Sequence, residues 1–335
     1  MKALVVRLDS FGDVLLAGPA VRAVAAHATS VTLLCGPRGE PAARLLPGVD
    51  DVLVWAAPWE GPCPPGVDEA DPEGLVERLR ERAFDTALVL TSHHQSPLPT
   101  ALLLRLARVG RIGADSRDHA GALLDVRHRR LPGRHEAQAA LDTAAALGFA
   151  PAAGDDGRLR VCPGPDTARL TGNGPYVVVH PGASAPARAW DPELCARTVT
   201  ALADAGHRVV VTGGADETDL TRRVSGDAGV DLGGRTDTFH LAGVLRGADA
   251  VVCGNTGPAH LAAAVDTPVV SLFSPVVPAE RWMPWGVPVV LLGDQRAACA
   301  DTRSRHCPLP GHPCLNEITP HDVVLAVRKL LKGAA

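Results

Sequence analysis

Short β-branched runs recur along the chain with helix-length segments between them, and this alternation limits the fold more than any other feature. Lys2–Val6, Val31–Cys35, Asp51–Trp55 and Thr86–Leu90 read as strands in the first half. Tyr176–His180, Arg208–Thr212, Ala250–Cys253 and Pro268–Phe273 do so in the second. Several are apolar almost throughout, as strands buried on both faces of a parallel sheet are. Between them, Ala17–Ala26, Leu75–Arg82, Glu136–Leu147 and Pro192–Ala205 carry the Ala, Leu and Arg content of helices. Strand followed by helix, repeated, predicts a doubly wound α/β architecture.

A chain of 335 residues suits two such domains. The segment Phe149–Gly174 is rich in glycine and proline and lacks a long apolar run, so the boundary is placed there. The expectation is a Rossmann-like domain over 1–160 and another over 170–320, their parallel sheets facing across a cleft where ligands of open α/β sheets bind. A closing helix over 321–335 is expected to pack back on the N-terminal domain. Hydrophobic residues at 46% and charged residues at 21% exclude disorder as the main state. A net charge of -4 offers no basic excess for nucleic acid. The sequence has no apolar run long enough to span a membrane, and Arg7 and Asp9 come too early for a secretion signal, so a cytoplasmic protein is expected.

Three segments carry the chemistry, each directly after a predicted strand. The first, from Arg7 to Ala20, is RLDSFGDVLLAGPA. Asp9, Ser10 and Asp13 compete there for the cap of the following helix, and a carboxylate at the cleft mouth is also a general base; spacing does not separate the two readings for Asp13. The second, HPGASAPARAWD, starts at His180. Gly182 and Ser184 allow close approach of an anionic ligand, Arg188 offers a positive fork for pyrophosphate oxygens, and Asp191 is placed to cap the next helix. The third, GNTGPAHLAAA, starts at Gly254. Asn255 or Thr256 as cap and Pro258 in the first turn open a helix whose free N–H groups suit a nucleotide diphosphate, with Gly257 and His260 beside it. Gly213–Glu217 suits a nucleoside and Leu232–Thr236 a base pocket, and both read equally as plain strand-to-helix turns.

The C-terminal region holds Cys299, Cys307 and Cys314 with His306 and His312. These donors number enough for a structural zinc site, but no C-x2-C pair anchors one, and a packed cysteine pair is the plainer reading. His93 and His94 follow a strand and read as loop or acceptor contact. Eight scattered cysteines do not make a disulfide scaffold.

Taken together and in order, RLDSFGDVLLAGPAVRA, HPGASAPARAWD, GGADE, GNTGPAHLAAA and the GHPCLNEITP tail resemble glycosyltransferase family 9, the heptosyltransferase family. The resemblance implies the GT-B fold and an inverting, metal-independent transfer from ADP-heptose to a glycan or glycolipid acceptor, without a cofactor. It assigns Asp13 as general base and Arg188, where many members have Lys, as stabiliser of the leaving diphosphate. Thr256, Gly257 and His260 would hold the donor phosphates and sugar, and Glu217 the ribose. Ser184 and Asn255 complete the donor side, Asn255 standing where the family commonly has Asp. The usual acceptor of the family is the inner core of lipopolysaccharide, which implies peripheral membrane contact through the acceptor. The sequence contains no Asp-x-Asp triplet, consistent with a metal-independent site. The competing classes are a nucleotide-sugar epimerase on the same plan and an inactive nucleotide-sugar-binding homologue.

Overall fold

The computed structural model describes residues 1–333. The chain divides into two compact units, Met1–Cys162 and the unit that begins at Pro163. The break therefore falls inside the expected Gly/Pro-rich segment.

The first unit is built on one six-stranded sheet: β1 (Lys2–Arg7), β2 (Ser30–Cys35), β3 (Asp51–Val54), β4 (Thr86–Val89), β5 (Arg111–Asp115) and β6 (Val126–His128). The spatial order is β3-β2-β1-β4-β5-β6 with every pair parallel. Counting helices of six residues or more, α1 (Phe11–Leu16) and α2 (Gly18–Ala25) follow β1. α3 (Pro72–Arg82) and α4 (Leu98–Leu106) flank β4, and α5 (Glu136–Ala146) follows β6. Leu4, Val6, Ala87 and Val89 point to the face covered by α3 and α4, where Leu75, Leu79 and Leu104 meet them. The central strands are thus buried on both sides, which is why they read as unbroken apolar runs. β5 departs from that pattern because Leu147 lies over it. A Cβ on Gly113 would come within 2.7 Å of the Leu147 side chain.

The second unit repeats the plan. β7 (Val177–His180), β8 (Val209–Val211), β9 (Gly229–Asp231), β10 (Ala250–Gly254), β11 (Val269–Leu272) and β12 (Val289–Leu292) form a parallel sheet in the order β12-β11-β10-β7-β8-β9. Its larger helices are α6 (Pro192–Asp204), α7 (Thr218–Ser225), α8 (Thr238–Arg246), α9 (Gly257–Ala264) and α10 (Pro320–Gly333). The Asp191 carboxylate caps α6 as the sequence suggests, accepting from the N–H groups of Glu193 and Leu194 at 2.8 and 3.1 Å. The C-terminal helix α10 was expected to pack back on the N-terminal domain. Instead Val323, Val324, Val327 and Leu330 sink into the second unit's core, with Val199 and Leu202 of α6 and the strand residues Val252 and Val270. The apolar stripe of α10 fits that core because α6 leaves the adjoining part of the sheet uncovered.

In both sheets the chain leaves a central strand in opposite directions, between β1 and β4 in the first and between β7 and β10 in the second. Loops at the carboxyl ends of such a pair diverge and leave room for a ligand. All three sequence motifs lie on those loops.

Candidate active site

At the first switch point, the loop after β1 turns the side chains of Arg7, Asp9 and Asp13 toward one another. Arg7 is 3% exposed. Its Nε lies 2.7 Å from Asp9, and one Nη donates both to Ser92 at 2.8 Å and to Asp13 at 3.2 Å. The Ser10 hydroxyl donates to the other Asp13 oxygen at 2.6 Å. The helix cap position is Ser10, and no side chain there accepts from the helix N–H groups. Asp13 lies in the first turn of α1 and is held by Arg7 and Ser10.

The network extends to residues that sequence reasoning passed over. Gln95, on the loop after β4, donates its amide to both Asp9 and Glu60 and accepts from the Ser92 N–H. Glu60 comes from the Pro-rich loop after β3. Burial and the adjacent Asp9 lift the Glu60 carboxyl from 4.5 to about 7, with the two side chains hydrogen-bonded. Burial also pushes Asp9 up, against the pull of Arg7. Burial works to lower the Arg7 pKa, but Asp9 and Asp13 outweigh it and hold the guanidinium above its ordinary value. His94 borders a cavity here with Asp9 and Glu60.

At the second switch point, the loops after β7, β8 and β10 come together. Cys253 of β10 stands beside His180 of β7. The His180 imidazole makes a 3.0 Å hydrogen bond with the Thr212 hydroxyl and lies 4.0 Å from Glu217. Burial lowers its pKa against the pull of Glu217, leaving it neutral. Glu217 accepts from the Gly214 N–H at 2.8 Å and crosses over Gly182 so closely that a Cβ there would fall 1.9 Å from its oxygen. The glycine of HPGAS is therefore required by Glu217. Similarly, a Cβ on Gly254 would meet the Arg188 carbonyl at 2.9 Å, so the Arg188 loop rests on the GNTGPAH motif.

Thr256 is the cap residue of α9, Pro258 lies in its first turn, and no side chain caps the helix N–H groups. Asn255 is buried, reaching the Ser274 carbonyl at 3.4 Å with its amide, while its side-chain oxygen is unpaired. His260 is buried on the first turn. Ser184 is exposed, and Arg188 is half-buried at the end of a single 3-10 turn, Pro186–Arg188. The sequence-read donor residues Ser184, Arg188, Glu217, Asn255, Thr256, Gly257 and His260 thus occupy loops at one edge of one sheet. Arg235 of the other turn follows the edge strand β9 and lines an open depression with Arg169 and His240.

The cysteine-rich region holds the Arg188 loop from behind. Ala187 donates its N–H to the Arg305 carbonyl at 2.9 Å, and its own carbonyl is 3.1 Å from the His312 imidazole. Cys299 packs with Ala187 and Val276. All eight cysteines are free thiols, and burial lifts Cys314 to about 11. Among the described residues no three His, Cys, Asp or Glu are grouped as a metal ion requires, so Cys299, Cys307, Cys314 and His306 do not form the zinc set considered above. Among the described residues no helix is long and apolar enough to cross a membrane.

Lipopolysaccharide heptosyltransferase 3 of Escherichia coli is 32% identical over 168 residues, covering 48% of this chain and 48% of that protein. Lipooligosaccharide heptosyltransferase 2 of Campylobacter jejuni is 24% identical over 163 residues, 47% of this chain and 51% of that protein. The chain thus spans about half the length of the curated relatives it matches. Among solved structures, E. coli ADP-heptose lps heptosyltransferase II superposes with a TM-score of 0.75 at 19% identity, over 100% of this chain and 99% of that one. A glycosyl transferase family 9 protein from Veillonella parvula gives 0.77 at 16% identity, over 99% and 97%. These likenesses establish the GT-B class of fold, two Rossmann-like α/β units on parallel sheets. The family model for glycosyltransferase family 9 (heptosyltransferase) matches residues 74–312, and the chain belongs to that family.

Proposed function

We propose that this chain is an inverting, metal-independent glycosyltransferase that moves heptose from ADP-heptose to a hydroxyl of a glycan or glycolipid acceptor. The observation that carries the reading is the Asp13 carboxylate. It stands at the carboxyl edge of the first sheet, held by Arg7 and Ser10. A carboxylate so fixed can take the proton from an acceptor hydroxyl as its oxygen attacks the anomeric carbon from the face opposite the leaving group. The bond to the nucleotide diphosphate breaks as the new glycosidic bond forms, which inverts the configuration. The departing diphosphate gains negative charge, and Arg188 with the uncapped N–H groups of α9 offers positive potential for it. This replaces the diphosphate-bound metal of transferases that carry an Asp-x-Asp pair, which this sequence lacks. Glu217, in the short 3-10 turn Ala215–Glu217 after β8, would accept from ribose hydroxyls, and Asn255 and His260 would contact the donor sugar and phosphates. We place the reaction in the cytoplasm, with membrane contact made through the acceptor.

The test is a thermal-shift screen of the full chain against ADP, UDP, GDP and TDP, followed by transfer from ADP-heptose with the parent and Asp13→Asn proteins. Stabilisation by ADP alone, and at least a hundredfold loss of turnover in Asp13→Asn with ADP binding kept, are the expected results. Full activity in Asp13→Asn overturns the assignment of the base, and a shift with UDP or GDP alone overturns the donor.

A further inference from the structure

The first switch point holds a cavity of about 270 Å³ between the ends of β1 and β4, lined by Asp9, Trp59, Glu60, Thr91, His94 and Gln95 among others. That is just below the roughly 300–1,000 Å³ of pockets for drug-sized ligands, which leaves room for one sugar ring. Its polar groups are fixed before any ligand arrives. The Gln95 amide is spent on Asp9 and Glu60, and its oxygen on the Ser92 N–H. Trp59 is 38% exposed and is braced edge-on by Trp55, ring centroids 5.3 Å apart at 68°. Trp55 is itself tied by its indole N–H to the Ala70 carbonyl at 2.6 Å. A half-open indole beside rigid hydroxyl acceptors suits the apolar face and polar rim of a pyranose.

The charge of the lining is equally specific. No Lys or Arg lines the cavity among the described residues. The guanidinium below it, Arg7, is buried and faces two carboxylates, so its charge is already answered. Asp9 and Glu60 sit in the wall with their carboxyl groups together, and burial and Asp9 lift Glu60 to about 7. An anionic sugar would face these carboxyl groups with no Lys or Arg in the lining to pair with it.

We infer that this cavity is the acceptor subsite and that it seats an uncharged sugar ring, stacked on Trp59 and hydrogen-bonded to Asp9 and Glu60, to the exclusion of phosphorylated and acidic sugars. The inference rests on the transferase reading above and narrows its acceptor. Phosphorylated or acidic sugars in the same acceptor are left to surfaces outside this cavity.

The experiment is a titration of the full-length protein with methyl α-glucopyranoside, its uronic acid, its 6-phosphate and its 2-amino counterpart. The readout is the Trp59 indole N–H resonance, assigned by its loss in Trp59→Ala. The neutral glycoside is expected to move that resonance at least tenfold more effectively than the uronic acid or phosphate. Glu60→Gln, which keeps the hydrogen-bonding shape and removes the titratable charge, is expected to narrow the gap severalfold while still binding the neutral ring. Equal or tighter binding of the uronic acid or phosphate overturns the inference, and tighter binding of the amino sugar overturns the uncharged assignment. ADP binding is measured on the same samples. If ADP stabilises the protein while none of the glycosides moves Trp59, the subsite falls and the transferase reading stands. If ADP also fails to bind, the transferase reading is what has failed.

Discussion

Replacing Arg7 by Met keeps most of the side chain's length and removes its fork. In the folded protein Asp9 and Asp13 then face each other and Glu60 without their common cation, at sites where the Asp9 and Asp13 side chains are 8% and 19% exposed. At an effective dielectric near 20, the 2.7 and 3.2 Å contacts are each worth about 5–6 kcal/mol of gross attraction. Most of that is offset by the desolvation of Arg7 itself. Breaking such a buried pair from one side costs about 3–5 kcal/mol. Arg7→Lys recovers only part of this, because an ammonium cannot hold Asp9, Asp13 and Ser92 at once as the guanidinium does. The assay is native-state hydrogen exchange read on peptides from β1 and β4, which isolates the first unit from the second. The sign with pH follows from the loss of the cation. Without Arg7 the folded-state pKa values of Asp9 and Asp13 rise, so the deficit grows as pH rises through the carboxylate range and shrinks at low pH. A deficit below about 1 kcal/mol at neutral pH, or one of equal size at pH 4 and pH 7.5, refutes the reasoning.

Glu60 gives a second pH signature: its pKa rises from 4.5 in the unfolded chain to about 7 in the folded one. Stability therefore falls as pH rises between these values and is flat above them, a loss of about 1–2 kcal/mol after discounting for partial exposure. Comparing Glu60→Gln with the parent across pH 4 to 8 should remove that slope. Gly182→Ala should leave stability within about 1 kcal/mol, because the end of a flexible side chain is all that must move. Nucleotide affinity should nevertheless fall about tenfold in calorimetry as Glu217 swings off the Gly214 N–H. Asp191→Ala removes the cap of α6 and should cost about 1 kcal/mol in urea unfolding, with exchange protection lost first at Glu193 and Leu194.

Strands buried on both faces announce themselves, and each of the eight read from sequence is present. β6 and β9 have only three residues each, and β5 is broken by the glycine that Leu147 needs, so their apolar signal is too short to stand out. β12 lies at a sheet edge with each residue half-buried. The three loop motifs were legible because each is a contiguous stretch following its strand. At the first switch point Asp9, Asp13 and His94 stood out in the sequence, but the partners that join them did not. Glu60 and Gln95 are thirty-five residues apart on loops of different strands, and only folding brings them to Asp9. The destination of α10 was also hidden, since an apolar stripe states that a helix is buried without stating against what.

The repeated strand order has a consequence for how such chains diversify. Each unit carries its own core, its own crossover point and its own set of ligand-facing loops. Selection can therefore rewrite the loops after β1, β3 and β4 while the loops after β7, β8 and β10 stay untouched. A lineage can reshape the ligand-facing loops of one unit and keep those of the other, inheriting half of its recognition surface intact.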